Sequence, residues 1–554
     1  MSSFSLLADR FFERFFYNDL ISDADDPQST AGNLMAILAF PGFLSLYLIP
    51  KYYVTLAQAP LEVRNVAVFS DRVWLLTFSM IILGLLTTLE WDQLLPDRRD
   101  FLILRPLPVR LSTIFSAQAF ALLRFALLFF FVVNAASSLF FPLAAAPYAA
   151  SIFEGFWFAL AHVISVGAGA LFMVLALLCL QGLLLNLAPQ YWLGRLWALA
   201  QNAAAMALTA GLVLLPGAGW VASAHLRGEL DASWAPPLWF AALGDVLAGG
   251  SMAPGLALAA VAALAAAGAG AAATFFLGYR RHVKRTLEAR ASDRLGDLLG
   301  ALPVRLFSRA LADSRARAGF RFTVLTLLRS QRQRLCFGAF VAAGAALALA
   351  LDAGKPLDLS AAAGPPKSLL AALYVFVGAA LVGLRVAIAV PAEPTANWVF
   401  RMAAGDSMQP FRRGMRLAAW FILGVPVALG STAFVALVWG RTAAAVHLLV
   451  FGVIFWAVAG GLAAALRKIP FTCPYKPRGP SSTYLWTGAV AAFAAFVGAA
   501  ASTELLLLSE PWRAPLLLLS VALCGAGVTL LPRPDPAPIF EEEDPHAFQR
   551  LRLE

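Results

Sequence analysis

Charge and sulfur are what this chain is short of. Of its 554 residues only 13% are Asp, Glu, Lys or Arg, against roughly 25% in a soluble domain, so there is too little polar side chain to cover a folded chain of this size in water. Four cysteines, Cys179, Cys336, Cys473 and Cys524, stand far apart without C-x-x-C spacing, which argues against a disulfide framework or a zinc module. The five histidines, His162, His225, His282, His447 and His546, are equally dispersed; they read as lone interfacial or loop residues and predict no metal site. A G-x-x-x-x-G-K-[ST] phosphate loop is absent, the nearest string being AGPPKS at 363–368, so no nucleotide cofactor is expected on this chain. The opening MSSFSLLADRFFERFFYNDL has no basic leader and no small-residue cleavage site and is not read as a removable signal peptide.

What is abundant is apolar. Hydrophobic residues make up 60% of the chain and the mean hydropathy is +0.75, the composition of an integral membrane protein. A span needs about 20 apolar residues, and by that rule twelve segments qualify, near 32–50, 73–89, 113–135, 155–187, 196–216, 255–278, 335–351, 368–391, 415–438, 446–466, 484–502 and 512–531. The fold class expected is therefore an all-α polytopic membrane protein. The Ala/Gly-rich run at 255–279 allows close approach of a neighbouring helix.

The net charge of +10 would suit a nucleic-acid binder, but its distribution fits the positive-inside rule better, and no nucleic-acid partner is expected. With the N-terminus in the cytoplasm, residues 279–334 alone place fourteen Lys and Arg inside, whereas the outside loops hold at most two or three each. Both termini are then cytoplasmic. Before the first span, Phe4, Leu7, Phe11 and Phe15 recur at helical spacing opposite Asp9, Arg10, Glu13, Arg14 and Asn18. This predicts a helix lying in the membrane interface, or one packed on the rest of the protein.

Two charged islands interrupt the apolar pattern. Glu90 to Arg110, EWDQLLPDRRDFLILRPLPVR, packs four arginines, four acids and three prolines between the second and third spans. A second island, VPAEPTANWVFRMAAGDSMQPFRRGMR, follows the eighth span in the same way, and FRFTVLTLLRSQRQRL precedes the seventh as the amphipathic stretch precedes the first. The correspondence predicts two six-helix halves of the same orientation, a parallel repeat. Its boundaries are 1–278 for the first half, 279–319 for a basic cytoplasmic linker, 320–531 for the second half and 532–554 for a cytoplasmic tail. Each island sets an apolar patch in a charged rim, the anatomy of a protein contact. Pro96, Asp97, Arg98, Arg99, Phe101, Leu104, Arg105 and Arg110 form the first, and Glu393, Asn397, Trp398, Phe400, Arg401 and Arg412 belong to the second.

The stretch LLPDRRDFLILRPLPVRLSTIFSAQ resembles the cytoplasmic loop after the second span of ABC-2-type exporter permeases, where an LPLP element leads into a polar start of the third span; here it reads RPLP. The resemblance extends to the six-helix plan and to an interfacial helix before the first span. It implies a fused pair of permease halves in a bacterial cytoplasmic (inner) membrane. It also implies outward movement of an amphipathic or lipid-like substrate, with membrane lipids and two cytoplasmic ATPase subunits as partners. ATP would be bound by those partners only, the islands would receive their stroke, and the chain itself would not be an enzyme.

Arg124 and Glu154 fall at or within spans, where ionisable groups are costly. They are candidates for a substrate path, although Arg124 can equally snorkel to a membrane surface. The longest outside loop, 217–253, carries Trp220, Trp234 and Trp239 and predicts a short re-entrant or interfacial helix before the sixth span. Two other functions stay open at this point. An ion-coupled secondary transporter would need G-x-x-x-D-R-x-G-R after the second span, where PDRRDF stands, and buried acids to carry protons. A membrane-embedded lipid or sugar transferase would have only Glu229, Asp231 and Asp245 to draw on.

Overall fold

A peptide group inside a bilayer has no water to bond, so a chain this apolar must satisfy its backbone within each segment. The computed structural model describes residues 3–14, 27–91, 110–145, 151–188, 190–288, 303–352, 364–392, 407–466, 468–471, 482–513 and 515–516, and among them the regular structure is helical, with no β-strand. Among the described residues eleven helices are long and apolar enough to cross a membrane, which makes this an all-α polytopic membrane protein. They coincide with the first eleven expected spans; the twelfth, 512–531, lies for the most part outside the described residues.

The chain divides into two units, Met1–Ala291 and Ser292–Glu554. Unit 1 opens with α1 (Ser3–Arg14) and continues through α2 (Pro27–Phe43), α3 (Leu61–Leu89), α4 (Leu111–Ala145), α5 (Ile152–Leu187), α6 (Gln190–Leu214), α7 (Ala218–Leu226), α8 (Pro236–Leu247) and α9 (Pro254–Glu288). Beyond Phe43 the first span runs through tighter and wider turns to a π-turn at Lys51–Thr55, directly after Pro50, whose missing N–H removes a rung of the helical ladder. The third span is a full ten residues longer than the hydropathy suggested, because its helix carries on through Pro142 to Ala145.

Helix α3 is the axis of unit 1. Buried Phe78, Ile82 and Leu86 meet Phe125 and Phe129 of α4 and Phe11 of α1, while Phe69, Val73 and Leu76 meet Val166 of α5 and Phe240 of α8. The expected short helix in the 217–253 loop is α8, and it is packed inward: Leu238, Phe240, Ala241 and Ala242 are buried. Helix α9 approaches α5 closely, as its small residues allow. A Cβ on Gly270 would stand 2.7 Å from Cys179 Sγ, and one on Gly182 would collide with Thr274.

Unit 2 has a short helix at 303–308, then α10 (Ser314–Arg329), α11 (Gln331–Asp352), α12 (Lys367–Ala389), α13 (Gln409–Ala419), α14 (Val425–Trp439), α15 (Arg441–Ala464) and α16 (Ser482–Ser509). The expected amphipathic helix starts at Ser314, six residues before Phe320, because Asp313 caps it by accepting from Arg315 N at 2.9 Å. Helices α13 and α14 form one span through a π-turn at Trp420–Gly424. Gly440, at φ 91°, turns α14 into α15 with a single residue, a conformation that glycine adopts without a Cβ penalty. Tyr374, Leu381, Phe451 and Phe455 centre the apolar core.

Similar neighbours recur in both units. The amphipathic helix packs on the third span of its own unit, α1 on α4 and α10 on α13, and the second span packs on the fifth, α3 on α6 and α12 on α16. At the α10–α13 crossing a Cβ on Gly414 would lie 2.6 Å from the Ala316 carbonyl oxygen.

Candidate functional site

The bodies of both islands, Pro96 to Arg105 and Glu393 to Arg401, lie outside the described residues. Their roots are described. At the end of α3, Gln181 of α5 donates to the Trp91 carbonyl at 2.8 Å and Gln201 of α6 donates to the Thr88 carbonyl at 3.0 Å. Both glutamines are buried, and the fully buried Trp91 ring stands edge-on to Trp197 at 5.7 Å. The first island therefore leaves from a helix end pinned to the fourth and fifth spans. Arg110 is exposed at its far end, where its carbonyl opens α4 by accepting from Thr113 N at 2.9 Å.

Unit 2 uses the same device. Gln333 at the start of α11 donates to the carbonyls of Val390 and Pro391 at 3.2 and 3.3 Å. Phe471 N donates to Ile388 O and Ala392 N to Phe471 O, both at 3.0 Å, so the chain after the tenth span is stitched to the root of the second island. Arg412 donates to the Leu466 carbonyl at 2.9 Å, which occupies its guanidinium in holding α13 to the end of α15.

Arg124 is not isolated within its span. It pairs with Asp9 at 2.6 Å, and its guanidinium lies 4.4 Å from the centre of the Phe12 ring. With Phe4 against Phe120 at 5.7 Å, it binds α1 along α4. Of the two readings of α1, packing on protein is thus realised. Glu154 is exposed in the first turn of α5, where its N–H donates to the Ser151 hydroxyl at 3.2 Å; the S-x-x-E spacing is that of a capping box.

A cleft of about 530 Å³ opens between α3, α4, α5 and α9, and every residue lining it is apolar except Gln118. Leu123, Leu127 and Leu171 on its rim are about half exposed, so it opens sideways, towards where lipid chains would lie. Its size falls within the range of ligand sites, roughly 300–1,000 Å³. Neither Arg124 nor Glu154 lines it.

Two buried polar groupings escaped the reading of the sequence. In unit 1, Arg72 of α3 is 1% exposed and stacks on Phe158 at 4.7 Å, while its Nε and one terminal nitrogen have no hydrogen-bond partner. Beside Phe158 on α5, His162 packs on Phe141 at 4.8 Å with both ring nitrogens unpartnered. Nearby, Asp71 accepts from Lys51 at 2.7 Å and Tyr52 at 2.5 Å. In unit 2, Glu504 of α16 accepts from the Tyr374 hydroxyl and is bonded to His447 Nδ1, and His447 Nε2 lies 2.9 Å from Ser431 Oγ. The dispersal of histidines along the sequence misled: His447 and His162 are buried inside spans, and His225 stands in the last turn of α7, contacting Leu230 O at 3.2 Å. The signal available was a single ionisable residue in an apolar run, Glu504 within AAASTELLLLS above all.

No family model, curated protein or solved structure matches this chain. The three acids of the 217–253 loop have structural partners. Glu229 is bonded to Arg227 at 2.7 and 2.9 Å, and that bond holds its carboxyl below the usual range. Asp231 is held low by Ser233, whose N–H it accepts at 3.0 Å, and Asp245 accepts from Met252 N at 3.0 Å.

Proposed function

We propose that this chain is the transmembrane permease subunit of an ABC-2-type exporter, built as two parallel six-helix halves. In this reading it moves an amphipathic or lipid-like substrate outward, and two separate cytoplasmic ATPase subunits dock on the islands around Phe101 and Trp398. The observation that carries the reading is the way the island roots are held. A loop that must convey a push needs a stiff base, because a conformational change follows only from contacts that differ between two states of the driver. Gln181 and Gln201 tie one root to two further spans, and Gln333 with the two backbone hydrogen bonds of Phe471 ties the other.

Three further features agree with it. The amphipathic helix against the third span in each unit fits a duplicated half, the sideways-opening cleft suits a substrate with an alkyl chain, and the basic 279–334 stretch suits a cytoplasmic N-terminus. Orientation and bacterial inner-membrane location follow from the resemblance and from the distribution of charge.

The test is copurification. The intact chain should bring down an ATPase subunit, and replacing Pro96–Arg110 by a Gly/Ser linker should abolish that association while leaving the chain in the membrane. Association that survives the replacement of both islands would remove the proposal.

A further inference from the structure

Four spans of unit 2 each send one polar side chain to a single point: Tyr374 from α12, Ser431 from α14, His447 from α15 and Glu504 from α16. Tyr374, His447 and Glu504 are at most 2% exposed. The single-residue turn at Gly440 makes this possible, since Ser431 and His447 lie about two turns to either side of it and so face each other across the hairpin. Among the described residues the buried ties elsewhere are amides, Gln181, Gln201 and Gln333, whereas the charged ties Lys51–Asp71 and Arg124–Asp9 are partly exposed. A fully buried acid and imidazole are thus more than the attachment of spans calls for.

We propose that Glu504, His447, Tyr374 and Ser431 form a proton-binding site. With a neutral imidazole the network carries the whole negative charge of Glu504, and one more proton makes it neutral overall, the better state for a group surrounded by apolar helices. The step balances simply. A proton reaches Ser431 Oγ from water, the hydroxyl passes its own proton to His447 Nε2, and the resulting imidazolium keeps Nδ1–H on the Glu504 carboxylate while Tyr374 holds the other oxygen.

The surroundings set the direction of access. Away from Gly440 the site is floored by rings: His447 against Phe451 at 6.1 Å, Phe451 on Phe455 at 5.8 Å, and Phe455 against Trp420 at 4.6 Å. Towards Gly440 the hairpin ends about two turns away, at the exposed Gly440 and Arg441. The proton thus enters and leaves by the Gly440 end, which faces outside if the N-terminus is cytoplasmic, and the rings bar its onward passage. This separates the site from ion-coupled transport, and it does not depend on the ATPase reading.

The other charged groups on the surrounding helices are elsewhere. Lys367 and Arg441 are exposed at the tips of α12 and α15, and Glu510 beyond α16 is paired with Arg513 at 2.6 Å. Arg412 and Arg416 on α13 are engaged with Leu466 O and the Trp456 ring, Arg413 is on the same helix, and Arg385 lies near the other end of α12. Helix α14 carries no titratable group.

The experiment uses the full chain in lipid nanodiscs. Proton uptake on acidification should fall by one proton per chain in Glu504→Gln and in the double variant Glu504→Gln, His447→Gln. Tyr374→Phe should keep the proton, and Ser431→Ala should slow its uptake without changing the amount. Where the Gln variants fail to fold, ¹⁵N-histidine NMR of the unmutated chain supplies the second readout. One histidine should convert between imidazole and imidazolium, and Ser431→Ala should shift its Nε2 signal alone. Equal uptake by wild type and well-folded Gln variants would overturn the proposal, as would the absence of a histidine signal that Ser431→Ala moves. Covalent capture of Ser431 by a fluorophosphonate would also overturn it, by making the hydroxyl a nucleophile.

Discussion

Gln181 Nε2 lies 2.8 Å from the carbonyl oxygen of Trp91, at the point where the second span gives way to the first island. A glutamine buried there satisfies a carbonyl that the helix end leaves open, and it makes the island's base part of the fourth span. Gln201 repeats the arrangement on Thr88 from the fifth.

Removing these ties should uncouple the island without detaching it. The double variant Gln181→Leu, Gln201→Leu leaves two buried carbonyls unpaired, at about 1–3 kcal/mol each. Amide exchange at Glu90 and Trp91 should rise by one to two orders of magnitude; on the proposed function, an ATPase subunit would still copurify and stimulation of its hydrolysis would be lost. Unchanged exchange at those two amides would show that the glutamines are not what holds the root.

Gly414 should tolerate no side chain. A Cβ there would press on the Ala316 carbonyl and on Phe320 N, both backbone atoms of α10 that cannot swing aside. Gly414→Val should therefore force α10 off α13 and destabilise unit 2 by roughly 1–3 kcal/mol, the usual cost of overpacking. Thermal unfolding would register it at the crossing, where Phe320 of α10 stands edge-on to Phe421 at 5.8 Å.

Arg124 should matter through α1. Its pair with Asp9 is about half exposed, so the ionic part is worth at most ~1 kcal/mol, and the stack on Phe12 adds a similar amount. Arg124→Ala and Asp9→Asn should both speed proteolysis within Ser3–Arg14, with Arg124→Ala the stronger. If only the substitution at 124 altered transport and neither loosened α1, Arg124 would belong to a path and not to the anchor.

Arg72 carries a different expectation. Its charge is buried with two nitrogens unpartnered, so the cost of taking the guanidinium out of water is only partly offset, by the Asp245 carboxylate and the Phe158 ring. Arg72→Met should thus hold or raise the unfolding temperature of unit 1, whereas Phe158→Ala, which strips the ring from a buried cation, should lower it. A marked loss in Arg72→Met would mean that the guanidinium has a partner essential to the fold.

The sequence by itself determined that the chain lives in a membrane, where eleven of the twelve expected spans lie, and where α1 and α10 would be amphipathic. Those properties are one-dimensional: the length of an apolar run and the period of its polar residues survive in any folded arrangement. Even Glu154 was legible in principle, since S-x-x-E is a local capping signal. The tertiary structure alone decided which distant residues meet. Tyr374 and Glu504 are 130 residues apart and His447 stands between them in the chain, so no spacing rule could join them, and the same holds for Arg124 with Asp9. Helix packing in lipid is settled by the fit of small residues such as Gly182, Gly270 and Gly414 and by whichever buried polar groups find partners. Both are properties of facing surfaces that come into being only when the spans assemble.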